Sequence, residues 1–169
     1  MKRYLKKMKG ETKSPKRPPN RHIAWSWLGG LLGISAVAFL TEYTRQPFLM
    51  APFGASCVLM FGIPDSPLAQ PRNVLGGYLV STIIGLVCYH VLGTEWYSLA
   101  IAVSSSIVAM QLTKTVHPPA GAAPLVVIIS HANWGFLISP TLTGSLILVL
   151  IALLFNNLNK AQTFPKYWR

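Results

Sequence analysis

The chain has 169 residues, of which 51% are hydrophobic and 11% are charged, and its mean hydropathy is +0.43. This balance fits a membrane protein and argues against a soluble domain. The net charge of +11 would suit a nucleic-acid-binding protein, but nine of the fifteen Lys and Arg residues lie between Lys2 and Arg21. The charge is therefore a basic tail on a nearly neutral body.

The tail, residues 1–22, is predicted to lie in the cytoplasm against anionic lipid head groups. We expect no nucleic-acid partner, because arms that bind nucleic acid more usually carry aromatic residues between their cations. Pro15, Pro18 and Pro19 argue against an ordered helix there. A signal peptide that includes residues 23–40 is the weaker alternative, because that run is long enough to span a membrane.

Apolar stretches of two kinds follow the tail. Four of them approach spanning length, and these are residues 23–40, 74–92, 96–112 and 136–155. Two shorter ones, 48–63 and 118–130, are interrupted by proline and are too broken to be ordinary spans. The sequence therefore predicts an all-α membrane protein with four long spans and two short segments.

The two short stretches repeat one pattern. A shift of 67 positions places the run Pro52-Phe53-Gly54-Ala55-Ser56 on the run Pro119-Ala120-Gly121-Ala122-Ala123. We predict two transmembrane repeats, residues 23–92 and 93–156, followed by a cytoplasmic tail at 157–169. Each repeat consists of a long helix, a proline-broken half-helix and a second long helix.

Charge predicts how the short segments lie in the membrane. If they cross it, Arg72 and Lys114 fall on the cytoplasmic side with both termini, and only Arg45 lies outside. If they re-enter instead, all three cations lie outside. The positive-inside rule favours crossing, which inverts the second repeat relative to the first, as in many transporters. The expected location is the cell (inner) membrane.

A proline can begin a helix, and here the first turn that follows is made of Gly and Ala. Free N–H groups at membrane depth need a partner, and an anion is a natural one. The predicted substrate-binding residues are Pro52, Gly54, Ala55, Ser56, Lys114, His117, Pro118, Pro119, Gly121 and Ala122. The alternative is that the motif only permits close helix packing, with Arg45 and Lys114 extending to head groups.

Other polar residues are weaker candidates. His117 can change charge near neutral pH, so it is a possible proton relay, anion donor or gate, or else a structural cap. Five residues are candidates for a gate or an ion pair: Glu42, Arg45, Arg72, Asn73 and Gln111. Asp65 and Arg72 are close enough for a loop ion pair, and Pro71 suits a helix start with Asn73 near its cap.

The sequence offers little for catalysis. Cys57 and Cys88 lie in apolar segments without a ligand-spaced partner, so we expect free thiols and no metal or other cofactor. It contains no carboxylate pair, Ser-His-Asp arrangement or phosphate-binding loop, so we expect no enzymatic activity.

Three motifs resemble those of the HPP family of integral membrane proteins. They are APFGAS at 51–56, SPLAQPRNV at 66–74 and HPPAGAAPL at 117–125. The resemblance covers about residues 23–156 and implies four transmembrane helices by the usual description of the family. Plastid and cyanobacterial members are linked to nitrite transport, which implies a small monovalent oxyanion as substrate.

We therefore predict a membrane transporter or channel for a small inorganic anion, with nitrite first and other oxyanions after it. The alternative is a non-transporting membrane subunit. A chain this short is expected to form a homo-oligomer. Its other expected partner is membrane lipid.

Overall fold

A computed structural model describes residues 2–8 and 12–168, and the described residues contain helices and no β-strand. Their α-helices are α1 (Lys2–Lys7), α2 (Asn20–Thr44), α3 (Pro52–Cys57), α4 (Pro71–Leu92), α5 (Trp96–Leu112), α6 (Ala123–Ile129) and α7 (Thr143–Asn157). Short 3-10 helices lie at Pro67–Ala69 and Pro118–Ala122, and π-helical turns lie at Val58–Gly62 and Leu137–Leu142. The all-α class is confirmed. The tail does contain one short helix, α1, because the three prolines lie downstream of it.

Three stretches are long and apolar enough to cross a membrane, and these are Asn20–Thr44, Pro71–Leu92 and Leu137–Asn157. Helix α5 matches the remaining predicted span but has only 17 residues. The last stretch is bent, because Ser139 leaves the helical conformation directly before Pro140 (φ −132°, ψ 122°). A residue that precedes proline favours this extended conformation. The arrangement of four long spans remains a prediction.

The two short stretches are helices that begin at proline. We call them the first broken segment (Pro52–Gly62) and the second broken segment (Pro118–Ile129). His117 is extended (φ −138°, ψ 100°), since the following proline disfavours helical geometry. A helix can therefore begin at each proline but cannot continue from the preceding span.

The first broken segment runs antiparallel to α2 through the depth of the bundle. Near its beginning, Phe48 N–H donates to Thr41 Oγ1 across 3.1 Å, at the end of α2. At its end, His22 Nε2 donates to the Gly62 carbonyl across 2.8 Å, at the beginning of α2. The segment therefore crosses from one end of α2 to the other and does not turn back.

The second broken segment runs parallel to α4. A Cβ at Gly77 would lie 2.9 Å from His117 Cβ, and a Cβ at Gly85 would lie 2.7 Å from Pro124 Cα. The ring centroids of Tyr89 and His131 are 5.9 Å apart. Successive residues of this segment thus pack along most of α4, and it too crosses the bundle.

The chain therefore makes six passes, and its loops divide between two faces. The tail face contains the start of α2, residues 63–70, residues 113–117 and the end of α7. The opposite face contains residues 45–51, 93–95 and 130–136. Asn156 Nδ2 donates to the Met60 carbonyl across 2.9 Å, which places the ends of α7 and of the first broken segment together.

Candidate functional site

Three polar side chains meet inside the bundle, where the two broken segments approach each other. Ser56 belongs to α3, Tyr78 belongs to α4, and His117 directly precedes the second broken segment. All three are 0% exposed. Ser56 Oγ lies 2.7 Å from Tyr78 Oη and 2.8 Å from His117 Nε2. We call these three residues the polar centre.

The partners fix the direction of each hydrogen bond. The Leu68 carbonyl, 2.8 Å from His117 Nδ1, can only accept, so Nδ1 carries the proton. In a neutral imidazole Nε2 then accepts from the Ser56 hydroxyl, and the Ser56 oxygen accepts from Tyr78. If His117 Nε2 also carried a proton, this N–H and the Ser56 O–H would point at each other as two donors. The Ser56 hydroxyl would then have to turn away and accept from Nε2.

The backbone at the start of each broken segment is already paired. The N–H groups of Phe53 and Gly54 donate to the carbonyls of Met50 and Ala51, and Ala120 N–H donates to the His117 carbonyl. Two further donors are absent, because Pro118 and Pro119 have no N–H. The polar capacity at this point therefore comes from side chains, whereas the sequence led us to expect free N–H groups.

The structure brings only part of the predicted site together. Pro52, Ser56, Asn73, His117 and Pro119 are buried, and Arg72, Gly121 and Ala122 are half-buried. The remaining predicted residues are exposed, and these are Glu42, Arg45, Gly54, Ala55, Gln111, Lys114 and Pro118. The two cations of the proposed repeat lie at different ends of the bundle. Arg45 follows α2 on the opposite face, and Lys114 follows α5 on the tail face.

Sequence reasoning missed Tyr78 and three other buried hydroxyl residues. Ser81, Thr82 and Thr141 are 0% exposed, and Thr82 Oγ1 lies 3.3 Å from Thr141 Oγ1. Ser81 Oγ has no hydrogen-bond partner among the described residues. One signal was available, because Tyr78 lies within an apolar span, away from the interfaces where tyrosine is usually enriched.

The tail-face loop is held by the end of the chain. Gln70 is fully buried, and its Oε1 accepts from Lys166 N–H across 2.7 Å. Tyr167 Oη donates to Asn73 Oδ1 across 3.0 Å, and Asn73 Nδ2 donates to the Val116 carbonyl across 2.9 Å. Residues 158–168 are thereby connected to the residue that precedes His117.

Two expectations for this loop need correction. Asp65 forms its ion pair with Lys166 Nζ (2.9 Å), and not with Arg72, whose guanidinium donates to the Thr113 carbonyl. The reason is that Pro71 begins α4, as expected, and turns Arg72 toward the end of α5. Asn73 lies inside the helix and bonds to other segments, so it does not cap α4.

The described residues contain no cluster of three or more His, Cys, Asp or Glu side chains that could hold a metal ion. Cys57 and Cys88 are free and buried. The polar centre can donate and accept hydrogen bonds. It has no charged side chain of its own.

Comparison with known proteins identifies a family of membrane proteins. A family model described as "HPP, transmembrane region" matches residues 15–165. A transmembrane protein of Dictyostelium discoideum is 42% identical over 178 aligned residues, which cover 98% of this chain and 57% of that protein. A second transmembrane protein of the same organism is 37% identical over 180 aligned residues and is covered to 63%. The chain thus spans about six tenths of the length of these relatives, and no solved structure matches it.

Proposed function

Because the chain belongs to the HPP transmembrane family, we propose that it is a membrane transporter or channel for a small monovalent anion, most readily nitrite. The observation that carries the proposal is the polar centre, where both broken segments meet around buried hydroxyl and imidazole groups. Anions are stabilised by hydrogen-bond donors and by the positive ends of helices. The resemblance to family members linked with nitrite transport supports the same substrate class.

The charge distribution also favours an anion. The acidic residues Glu42, Asp65 and Glu95 are all exposed, so none of these carboxylates lies in the interior to repel an anion. Arg45 and Lys114 are exposed at the two faces, where they attract anions toward each end of the path. The unpartnered Ser81 hydroxyl lies three residues beyond Tyr78 on α4 and provides a further donor on this path.

We also propose that the two halves are inverted repeats. Each half has a long helix followed by a residue in the left-handed conformation, Arg45 (φ 58°) in one and Lys114 (φ 57°) in the other. Each then has a segment that begins at proline. Helix α2 runs away from the tail face and α5 runs toward it, which supports inversion. Under this proposal the tail face is cytoplasmic, the membrane is the cell (inner) membrane, and copies of the chain form a homo-oligomer.

Transport by purified protein in liposomes tests the proposal. We expect saturable uptake of nitrite that exceeds the uptake of chloride. Uptake of nitrate and formate is measured alongside, because they are related anions. Tyr78→Phe removes one donor and is expected to lower the uptake efficiency by about tenfold to a hundredfold, since a hydrogen bond to a charged group contributes roughly 1.5–3 kcal/mol.

Tyr43→Phe is the matched control, because Tyr43 is 77% exposed at the end of α2 and should keep full uptake. Absence of uptake of all four anions by folded protein would contradict the proposal and favour a non-transporting subunit. Equal uptake by the wild type and Tyr78→Phe would show that the path avoids the polar centre.

A further inference from the structure

A separate pocket opens on the tail face, between the first turn of α2 and the residues after α7. It has a volume of about 200 Å³ and is lined by Pro19, Arg21, His22, Trp25, Asn159 and Ala161. The polar centre shares no residue with it. The two sites can therefore be tested independently of each other.

The polar groups of this pocket that lack a hydrogen-bond partner are mainly donors. Trp25 Nε1 is buried and has no acceptor among the described residues. Asn159 Oδ1 already accepts from Ala161 N–H across 3.2 Å, which leaves the Asn159 amide N–H groups for another partner. Arg21 is exposed, and no carboxylate of the described residues forms an ion pair with it. The pocket thus offers a cation and two neutral donors to an acceptor.

Two of the side chains that line the pocket, Trp25 and His22, are held in place by their neighbours. The Trp25 ring stacks on Phe155, with centroids 4.4 Å apart and planes at 24°. His22 Nε2 is fixed by its 2.8 Å hydrogen bond to the Gly62 carbonyl. Trp25 and His22 are therefore ordered before any ligand binds, which lowers the entropic cost of binding.

Charge and position indicate the class of ligand. Lys13 and Lys16 precede the pocket in the chain, and Lys160 follows Asn159, so the local field is positive. A phosphate group carries acceptor oxygens and a negative charge, and it matches both the donors and the field.

An apolar groove beside the pocket favours a lipid over a free phosphate as the ligand. It has a volume of about 480 Å³ and is lined by residues that include Ser26, Trp27, Gly30, Leu31 and Gly62. Ser26 directly follows Trp25 of the pocket, and Gly62 is the residue that binds His22. A molecule with both a phosphate and an acyl chain can use both sites at once.

We propose that this pocket binds the phosphate of an anionic phospholipid, with an acyl chain in the groove along α2. The test uses the full chain in neutral detergent, titrated with phosphatidylglycerol, with phosphatidylcholine of the same chain length and with inorganic phosphate. Binding is followed by the rise in melting temperature and by native mass spectrometry.

Three variants locate the site. Arg21→Gln should weaken phosphatidylglycerol binding about fivefold or more, because a charge-assisted hydrogen bond is lost. Trp25→Phe keeps a ring on Phe155 but removes the N–H, and should weaken binding about threefold. Arg17→Gln removes the same charge four residues away, where Arg17 is exposed and bonded to Asn20, and should change binding less than about twofold.

Equal weakening by Arg17→Gln and Arg21→Gln would overturn the proposal, because it would indicate a diffuse electrostatic surface. Equal binding of phosphatidylcholine would also overturn it. If inorganic phosphate binds as well as the lipid does, the pocket is a free-phosphate site and the lipid assignment is wrong. Should Trp25→Phe fail to fold, the two arginine variants carry the test alone.

Discussion

Ser56 is the central member of the polar centre, because its hydroxyl donates to His117 and accepts from Tyr78. Loss of this hydroxyl leaves the Tyr78 hydroxyl and His117 Nε2 without this partner, and both residues are 0% exposed. Loss of the Tyr78 hydroxyl leaves the bond between Ser56 and His117 intact. The same network therefore has one central and one peripheral hydroxyl.

This difference predicts an order of stability. We expect Ser56→Ala to lower the free energy of unfolding by about 1–3 kcal/mol, because the His117 acceptor is then buried and unpaired. Tyr78→Phe should cost about 0.5–1.5 kcal/mol, the contribution of one ordinary hydrogen bond. Denaturant unfolding in detergent measures both values. A larger cost for Tyr78→Phe would contradict the assigned hydrogen-bond directions.

Glycines allow the helical elements to approach closely at particular points. A Cβ at Gly144, in the first turn of α7, would overlap the Phe48 carbonyl oxygen and the Phe53 ring. These contacts join α7 to the start of the first broken segment. A Cβ at Gly30, in the middle of α2, would meet no atom within 4 Å. The same residue type therefore has different roles in two helices.

We expect Gly144→Ala to destabilise the fold by about 1–3 kcal/mol, because backbone and ring must move to make room. Gly30→Ala, as the matched substitution, should leave stability unchanged or raise it by up to about 1 kcal/mol, because alanine is favoured over glycine in a helix interior. Melting temperatures in one detergent allow the two to be compared directly. Similar values for both variants would mean that α7 does not approach the first broken segment as described.

The elements themselves could be predicted from the sequence, because proline positions and apolar length act locally. Pro71 marked the start of α4, and the prolines at 52 and 118 marked both broken segments. The partners of Ser56 could not be predicted, because they depend on which helix faces meet. Lys166, the ion-pair partner of Asp65, lies 101 positions away in the chain, and no local sequence pattern reveals this pairing. The motif indicated His117, whereas the signal for Tyr78 was only its unusual position within an apolar span.

At the scale of the whole molecule, charge divides unequally between the two faces. The tail face carries cations in the tail itself, at Arg72, at Lys114 and after α7. In the described loops of the opposite face, Arg45 is the one Lys or Arg residue. By the positive-inside rule, we expect the tail face to be the cytoplasmic one. This orientation follows from the six passes of the chain and can be tested separately from transport.

Single cysteines measure the orientation. The native Cys57 and Cys88 are first replaced by Ala, and new cysteines are then placed at exposed positions. We expect an impermeant maleimide to label Gln46→Cys and Asn133→Cys in intact cells, and Thr113→Cys and Lys160→Cys only after permeabilisation. Labelling of Thr113→Cys from outside would contradict the crossing of the broken segments.

The hydrogen bonds of the first broken segment join residues that the ribosome makes at very different times. Ser56 precedes His117 by 61 residues, and Met60 precedes Asn156 by 96. At a synthesis rate of about 5–20 residues per second, roughly 3–12 s pass between the synthesis of Ser56 and that of its acceptor, His117. The first broken segment is therefore synthesised several seconds before its central partners exist. Its final packing is completed late in synthesis, once α7 has emerged.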